Sequence, residues 1–115
     1  MIKMEALFHT PADKALFKKQ IQEEFLPKLY QMPYIEKIEL TPFSDTPDEL
    51  QEQFLDHPIY YQVGIFVKEE DIKKSFETEA GIALAQYLRS MGAGVTTAYG
   101  DTKIFYRWDL EQLRG

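Results

Sequence analysis

A chain of 115 residues, 44% hydrophobic and 28% charged, is long enough for one folded core and too apolar for a disordered segment. A formal net charge of −6 argues against general nucleic-acid binding, which draws on clustered Lys and Arg. The absence of cysteine excludes disulfides, thiolate metal sites and cysteine nucleophiles.

The first residues, Met1-Ile2-Lys3-Met4-Glu5, lack the charged start and long apolar core of a signal peptide. No apolar run approaches membrane-spanning length. The expectation is a cytoplasmic protein with neither nucleic acid nor membrane among its partners.

Ile2 to His9 reads as a strand with Ile2, Met4, Ala6 and Phe8 on a core-like face and Lys3, Glu5, Leu7 and His9 on a mixed one. Thr10-Pro11-Ala12-Asp13 carries the residues of a helix start, and the helix is expected to run to about Tyr30. Phe17, Ile21, Phe25 and Leu29 recur every four residues and form its buried stripe, and Pro27 is expected to kink it near the end. After Pro33, Tyr34 to Phe43 reads as a second strand. Thr46-Pro47-Asp48-Glu49 repeats the capping chemistry and predicts a short acidic helix over about Pro47 to Leu55, ended by His57-Pro58.

Ile59 to Val67 is the strongest strand, with Tyr61, Val63, Ile65 and Val67 on one face and Tyr60, Gln62, Gly64 and Phe66 on the other. Both faces are largely apolar or aromatic, so the strand should be covered on both sides. Glu69 to about Gly92 is helical, with Ile72, Phe76, Ala80, Leu84 and Leu88 inward and Thr78-Glu79 able to re-cap it midway. Met91-Gly92-Ala93-Gly94 makes a C-cap and turn, Val95 to Gly100 a fourth strand, and Ile104 to Trp108 a short fifth one. The pairs Lys18-Lys19 and Lys73-Lys74 lie in helical patterns and read as solvated faces.

This order predicts an α+β protein of ferredoxin-like βαββαβ topology, a four-stranded antiparallel sheet with two helices on one face. The expected unit is a single domain over 1–115 with a helical insertion at 44–57. The second sheet face would expose Leu7, Tyr60, Phe66 and either Val95 or Tyr99. An identical sheet related by a two-fold axis is the simplest cover, which makes the chain a homodimer.

The sequence resembles the EthD-like family of the dimeric α/β-barrel superfamily. The resemblance rests on the Ile2 to Phe8 strand with the Thr10-Pro11 helix start, on Phe25-Leu26-Pro27, on Met32-Pro33-Tyr34-Ile35, on Phe76-Glu77-Thr78-Glu79-Ala80-Gly81, and on Gly94-Val95-Thr96-Thr97. It implies a protomer whose sheet builds a barrel with that of its partner. Superfamily relatives include cofactor-free monooxygenases, polyketide cyclases and haem-handling enzymes. Family members often carry a His two residues before the proline that matches Pro27, and here that position is Phe25.

His9 and Glu5, on the mixed face of the first strand, are the candidate catalytic groups, because a histidine or a strand carboxylate turned into a barrel can serve as a base. The bland alternative for His9 is a hydrogen-bonded strand end. Leu7, Tyr60, Gln62, Phe66 and Tyr99 are the candidate ligand-lining residues, and equally good dimer-core residues. Glu39 reads as an edge charge, Trp108 as a cavity cap or a contact to the partner, and Met32, Met91 and Leu84 as core. His57 with Asp56 and Glu52 lacks recognised ligand spacing, so no metal is expected. No cofactor is implied, and haem has only His9 and His57 to bind it. Two functions stand side by side. One is an enzyme acting on a small hydrophobic or aromatic molecule by cofactor-free oxygenation or proton transfer. The other is a non-catalytic binding or structural homodimer.

Overall fold

The alternation at the start of the chain produces strand β1, Ile2–His9, with Ala6 and Phe8 buried from its even face. The structure is a computed structural model and describes residues 1–43 and 59–114. The helix expected over 47–55, the rest of the 44–57 insertion, and His57 lie outside the described residues.

The first helix starts later than Thr10-Pro11 suggests. Asp13 is the N-cap, its carboxylate accepting the Leu16 N–H at 3.0 Å, and α1 spans Lys14–Gln20. A π-helical turn, Ile21–Phe25, follows, and α2, Leu26–Tyr30, completes the rod. Pro27 supplies the physical reason. It has no N–H to give to the Glu23 carbonyl and its ring crowds that carbonyl. The wider turn, closed by the Leu26 N–H on the Ile21 carbonyl, accommodates it without a break. The stripe Phe17, Ile21, Phe25 and Leu29 is buried throughout.

Tyr34 turns the chain in the left-handed region, at φ 70, into β2, Ile35–Pro42. Strand β3 spans Ile59–Val67. The long helix expected after it is two helices, α3 at Ile72–Glu77 and α4 at Glu79–Ser90. Thr78 breaks and re-caps between them. Its hydroxyl donates to the Ser75 carbonyl at 2.7 Å and accepts the Gly81 N–H at 3.1 Å. Ser75, fully buried, donates its own hydroxyl to the Pro33 carbonyl at 2.7 Å and pins α3 to the turn before β2. After Gly92 at φ +56, the chain enters β4, Val95–Asp101.

The short fifth strand expected over 104–108 is a correction. That segment leads into a helix, α5, Arg107–Arg114, whose start is fixed by the Tyr106 N–H donating to Asp109 Oδ2 at 2.9 Å. The cap is satisfied within the segment itself, which favours a helix over a strand there.

The sheet order is β2-β3-β1-β4 and every pairing is antiparallel, the α+β ferredoxin-like βαββαβ arrangement. The core forms between the sheet and the helices on one face, around Phe8, Phe17, Ile21, Phe25, Leu29, Val63, Ile65, Val67 and Leu84.

The other sheet face differs from expectation. Its β3 residues Gln62 and Phe66 are only 6% and 4% exposed, yet the cover comes from neighbouring strands of the same chain. Lys3 and Lys37 lie over the Phe66 ring at 5.5 and 4.8 Å. Lys3 Nζ pairs with Glu5 at 3.0 Å and Glu39 at 3.1 Å. Gly64 sits directly between Glu5 and Glu39 in the register, and its missing side chain leaves room for the three to meet. A strand apolar on both faces is thus buried by charged arms laid across it. Val95 and Tyr99 pair with Phe8 and Met4, which puts them on the helix-facing side and not on this one.

Candidate functional site

The helix layer does not close over edge strand β4. Of the β4 residues on the helix-facing side, Val95 is half-buried, while Thr97 and Tyr99 are exposed. The gap is a cleft of about 520 Å³. Its floor is Met4 and Ala6 of β1 with Val63 and Ile65 of β3, and its back wall is Phe25 and Leu29. Phe76 of α3 and Leu84, Ala85 and Leu88 of α4 form the roof, and Val95, Thr97 and Tyr99 form the open side with Arg89 from the last turn of α4. A half-open concavity with mostly apolar walls and a few polar groups is the form small-molecule sites take.

Local sequence explains how these residues reach the cleft. The π turn ends on Phe25, which is 2% exposed and stacks edge-on against Phe8 at 5.4 Å. Phe25 thus stands in the back wall at the position where the resembled family often carries a His. Behind it, Tyr87 packs on Phe25 at 6.0 Å and donates its hydroxyl to Glu24 at 3.1 Å, with Lys28 over its ring at 5.3 Å. Burial, reinforced by the Glu24 carboxylate, pushes the Tyr87 phenol up to about 12. On the far side of the cleft, the Thr78 re-cap and Gly81 set the line of α4 and so the placement of Leu84, Ala85, Leu88 and Arg89.

Among the residues singled out from sequence, Tyr99 turns its side chain toward the cleft. Glu5 touches the cleft only where β1 forms the floor, since its carboxylate lies on the opposite sheet face. There it accepts from Gln62 Nε2 at 3.1 Å and pairs with Lys3. The hydrogen bond with Glu5, joined by that with Glu39, raises the Lys3 ammonium above its ordinary value against the opposing effect of burial. Leu7, Gln62 and Phe66 share that face, and His9 bonds Thr96 Oγ1 through Nε2 at 2.8 Å at its end. Tyr60 leaves the free face. The register skips from Tyr61 to Ile59 opposite Phe8 and His9, a bulge with Tyr60 as the extra residue. Its ring packs on Phe17 at 5.6 Å beneath Lys14.

Arg89, Thr97 and the apolar roof of α4 were not singled out from sequence as site residues. Pro27, expected from sequence to kink the helix, was a local signal beside the cleft wall. Among the described residues, no group of three His, Asp or Glu side chains is placed to hold a metal.

No family model matches the sequence, and no curated protein matches it. Solved structures do match. An ethyl tert-butyl ether D (EthD) family protein from Bacillus halodurans C-125 superposes with a TM-score of 0.76 at 19% identity, over 90% of this chain and 99% of that one. The fold is that of an EthD family protein. SnoaB, a cofactor-independent oxygenase from Streptomyces nogalater, superposes with a TM-score of 0.58 at 12% identity, over 92% of this chain and 95% of that one. A dimeric protein of unknown function with a ferredoxin-like fold from Bacteroides fragilis NCTC 9343 gives 0.54 at 15% identity, over 88% and 95% of the two chains. At these identities the likeness is one of fold. Among the described residues, no helix is long and apolar enough to cross a membrane.

Proposed function

We propose that this protein is a homodimer that binds a small hydrophobic or aromatic molecule in the cleft between α4 and β4. The cleft carries this reading: about 520 Å³ of mostly apolar wall, open on one side, is the size and character of a small-molecule site. Binding is favoured over turnover by proton transfer, because His9 and the Glu5 carboxylate stand on the opposite sheet face. Cofactor-free oxygenation is the second reading, supported by the shared fold with the cofactor-independent oxygenase SnoaB.

The dimer rests on a different observation than the sequence offered. The free sheet face is charged, and a run of exposed apolar residues lies toward the end of the chain instead: Tyr99, Ile104, Phe105, Tyr106, Trp108 and Leu110. Tyr106 and Trp108 stack at 4.6 Å and leave Trp108 60% exposed. A stretch of this kind marks an interface, and a second copy is the cover in keeping with the dimeric protein that shares the fold.

The test pairs two measurements. Sedimentation velocity should return twice the 13.5 kDa chain mass. Titration with N-phenylnaphthylamine, a neutral fluorescent probe, should give saturable binding that Ala85→Trp abolishes by filling the cleft, with the circular dichroism spectrum unchanged. A probe that fails to bind, or that binds the variant equally well, removes the cleft as the site.

A further inference from the structure

We infer that the ligand of this cleft is an apolar carboxylate, with its tail along the α4 roof and its anionic head held by Arg89. The inference rests on the binding reading above and names its ligand class.

Two of the residues that line the cleft carry a formal charge at neutral pH, Arg89 and Glu5. Glu5 directs its carboxylate to the far face of the sheet, where Lys3 and Gln62 hold it. Arg89 is therefore the charge the cleft presents. Acidic residues outnumber basic ones, 19 to 13, and Lys3, Lys37, Lys68, Lys73, Lys74 and Arg107 each lie within ion-pair distance of a carboxylate. Arg89, like Lys14, Lys18, Lys19, Lys28 and Lys103, has no such partner among the described residues, so no carboxylate of the chain already holds its guanidinium.

The placement of the polar groups sharpens the ligand's shape. Arg89 comes from the last turn of α4, and the Thr97 and Tyr99 hydroxyls come from the helix-facing side of β4. Polarity is thus confined to the open side, while floor, back wall and roof are apolar. An amphiphile fits this division, with its head at the opening and its tail inward. A guanidinium fork matches a carboxylate with two parallel hydrogen bonds, a geometry a neutral amide cannot copy. The carbonyl end of α4 opposes an anion nearby, and a directly paired guanidinium outweighs that weaker dipole.

The test is displacement of N-phenylnaphthylamine by decanoate and by decanamide, its neutral counterpart, at pH 8. In the unmodified protein, decanoate should displace the probe at about tenfold lower concentration than decanamide. Arg89→Gln should remove that difference by weakening decanoate, and Arg89→Lys should keep part of it. Equal displacement by the two compounds, or a preference that survives Arg89→Gln, overturns the carboxylate assignment and leaves the cleft reading standing. A probe that does not bind at all overturns both.

Discussion

Gly81 offers a sharp test of how the α3–α4 junction is built, because the expected sign is opposite to the ordinary one. Replacing a helical Gly by Ala normally stabilises by about 1 kcal/mol, since Ala loses less backbone freedom on folding. At Gly81 an added Cβ would overlap the Ser75 carbonyl oxygen and stand 2.7 Å from Phe76 Cα and 3.1 Å from the Phe76 carbonyl carbon. Carbon atoms rest about 3.5–4.0 Å apart, so the overlap with Phe76 Cα is roughly 1 Å. The obstructing atoms are backbone, held by the Thr78 hydroxyl bridging the Ser75 carbonyl and the Gly81 N–H. They cannot swing aside as a side-chain tip would. Overpacking of this kind costs about 3 kcal/mol, which leaves a net loss of about 2 kcal/mol for Gly81→Ala after the helical gain. That corresponds to a fall of about 8 °C in Tm for a chain of this size. Differential scanning calorimetry of the variant reads it directly. Gly94→Ala is the control, because its Cβ meets nothing within 4 Å, and it should melt within about 0.5 kcal/mol of the parent. Gly81→Ala should also weaken probe binding, since the junction aims the α4 roof. A Gly81→Ala protein that melts at or above the parent would refute the close packing of α3 on α4.

Alkaline pH should destabilise the fold through Tyr87 and Lys3. The Tyr87 phenol is raised from 10.0 to about 12, so its stabilisation is complete below pH 10 and fades as the pH climbs toward 12. Lys3 is raised above 10.5, so its contribution is complete below that value and is lost at higher pH. Urea midpoints at pH 9 and pH 11 should therefore differ, and the difference should shrink in Tyr87→Phe; an equal drop in both proteins would rule out Tyr87 as a source. Lys3→Met should cost about 1 kcal/mol at pH 7, a modest figure because the pair is partly screened by solvent. Adding Glu39→Gln should recover part of the loss, and a double variant no more stable than the single one would show that Glu5 and Glu39 do not repel across Gly64.

Several elements were legible because their causes are local. The period-two runs of Ile2–His9 and Ile59–Val67 became strands at the bounds the alternation suggests. The four-residue spacing from Phe17 to Leu29 became a buried stripe, and the Thr78 hydroxyl re-capped its helix where the spacing placed it. The connectivity of these elements is enough to give the ferredoxin-like order.

Tertiary structure decided the rest, and the reasons are specific. Alternation assigned Tyr60 to the free face, but a bulge opposite Phe8 and His9 inserts it as an unpaired residue beside Tyr61, and bulges follow from pairing between strands far apart in sequence. Thr, Ala, Gly and Tyr in β4 carry too little contrast to choose a face, so only the register against β1 puts Tyr99 toward the helices. An apolar Phe66 reads as a surface awaiting a partner, yet the arms of Lys3 and Lys37 reach it from neighbouring strands. The Ile104 to Trp108 alternation reads as a strand, but the Asp109 carboxylate accepts the Tyr106 N–H and starts a helix there. The cleft exists because the helix layer stops short of β4, a property of how layers pack and of no single residue. Sequence alone determined the four strands and the two helical segments that alternate with them, through local periodicity and capping. Which side of the sheet holds the site was decided by register and layer packing, because those depend on contacts between residues distant along the chain.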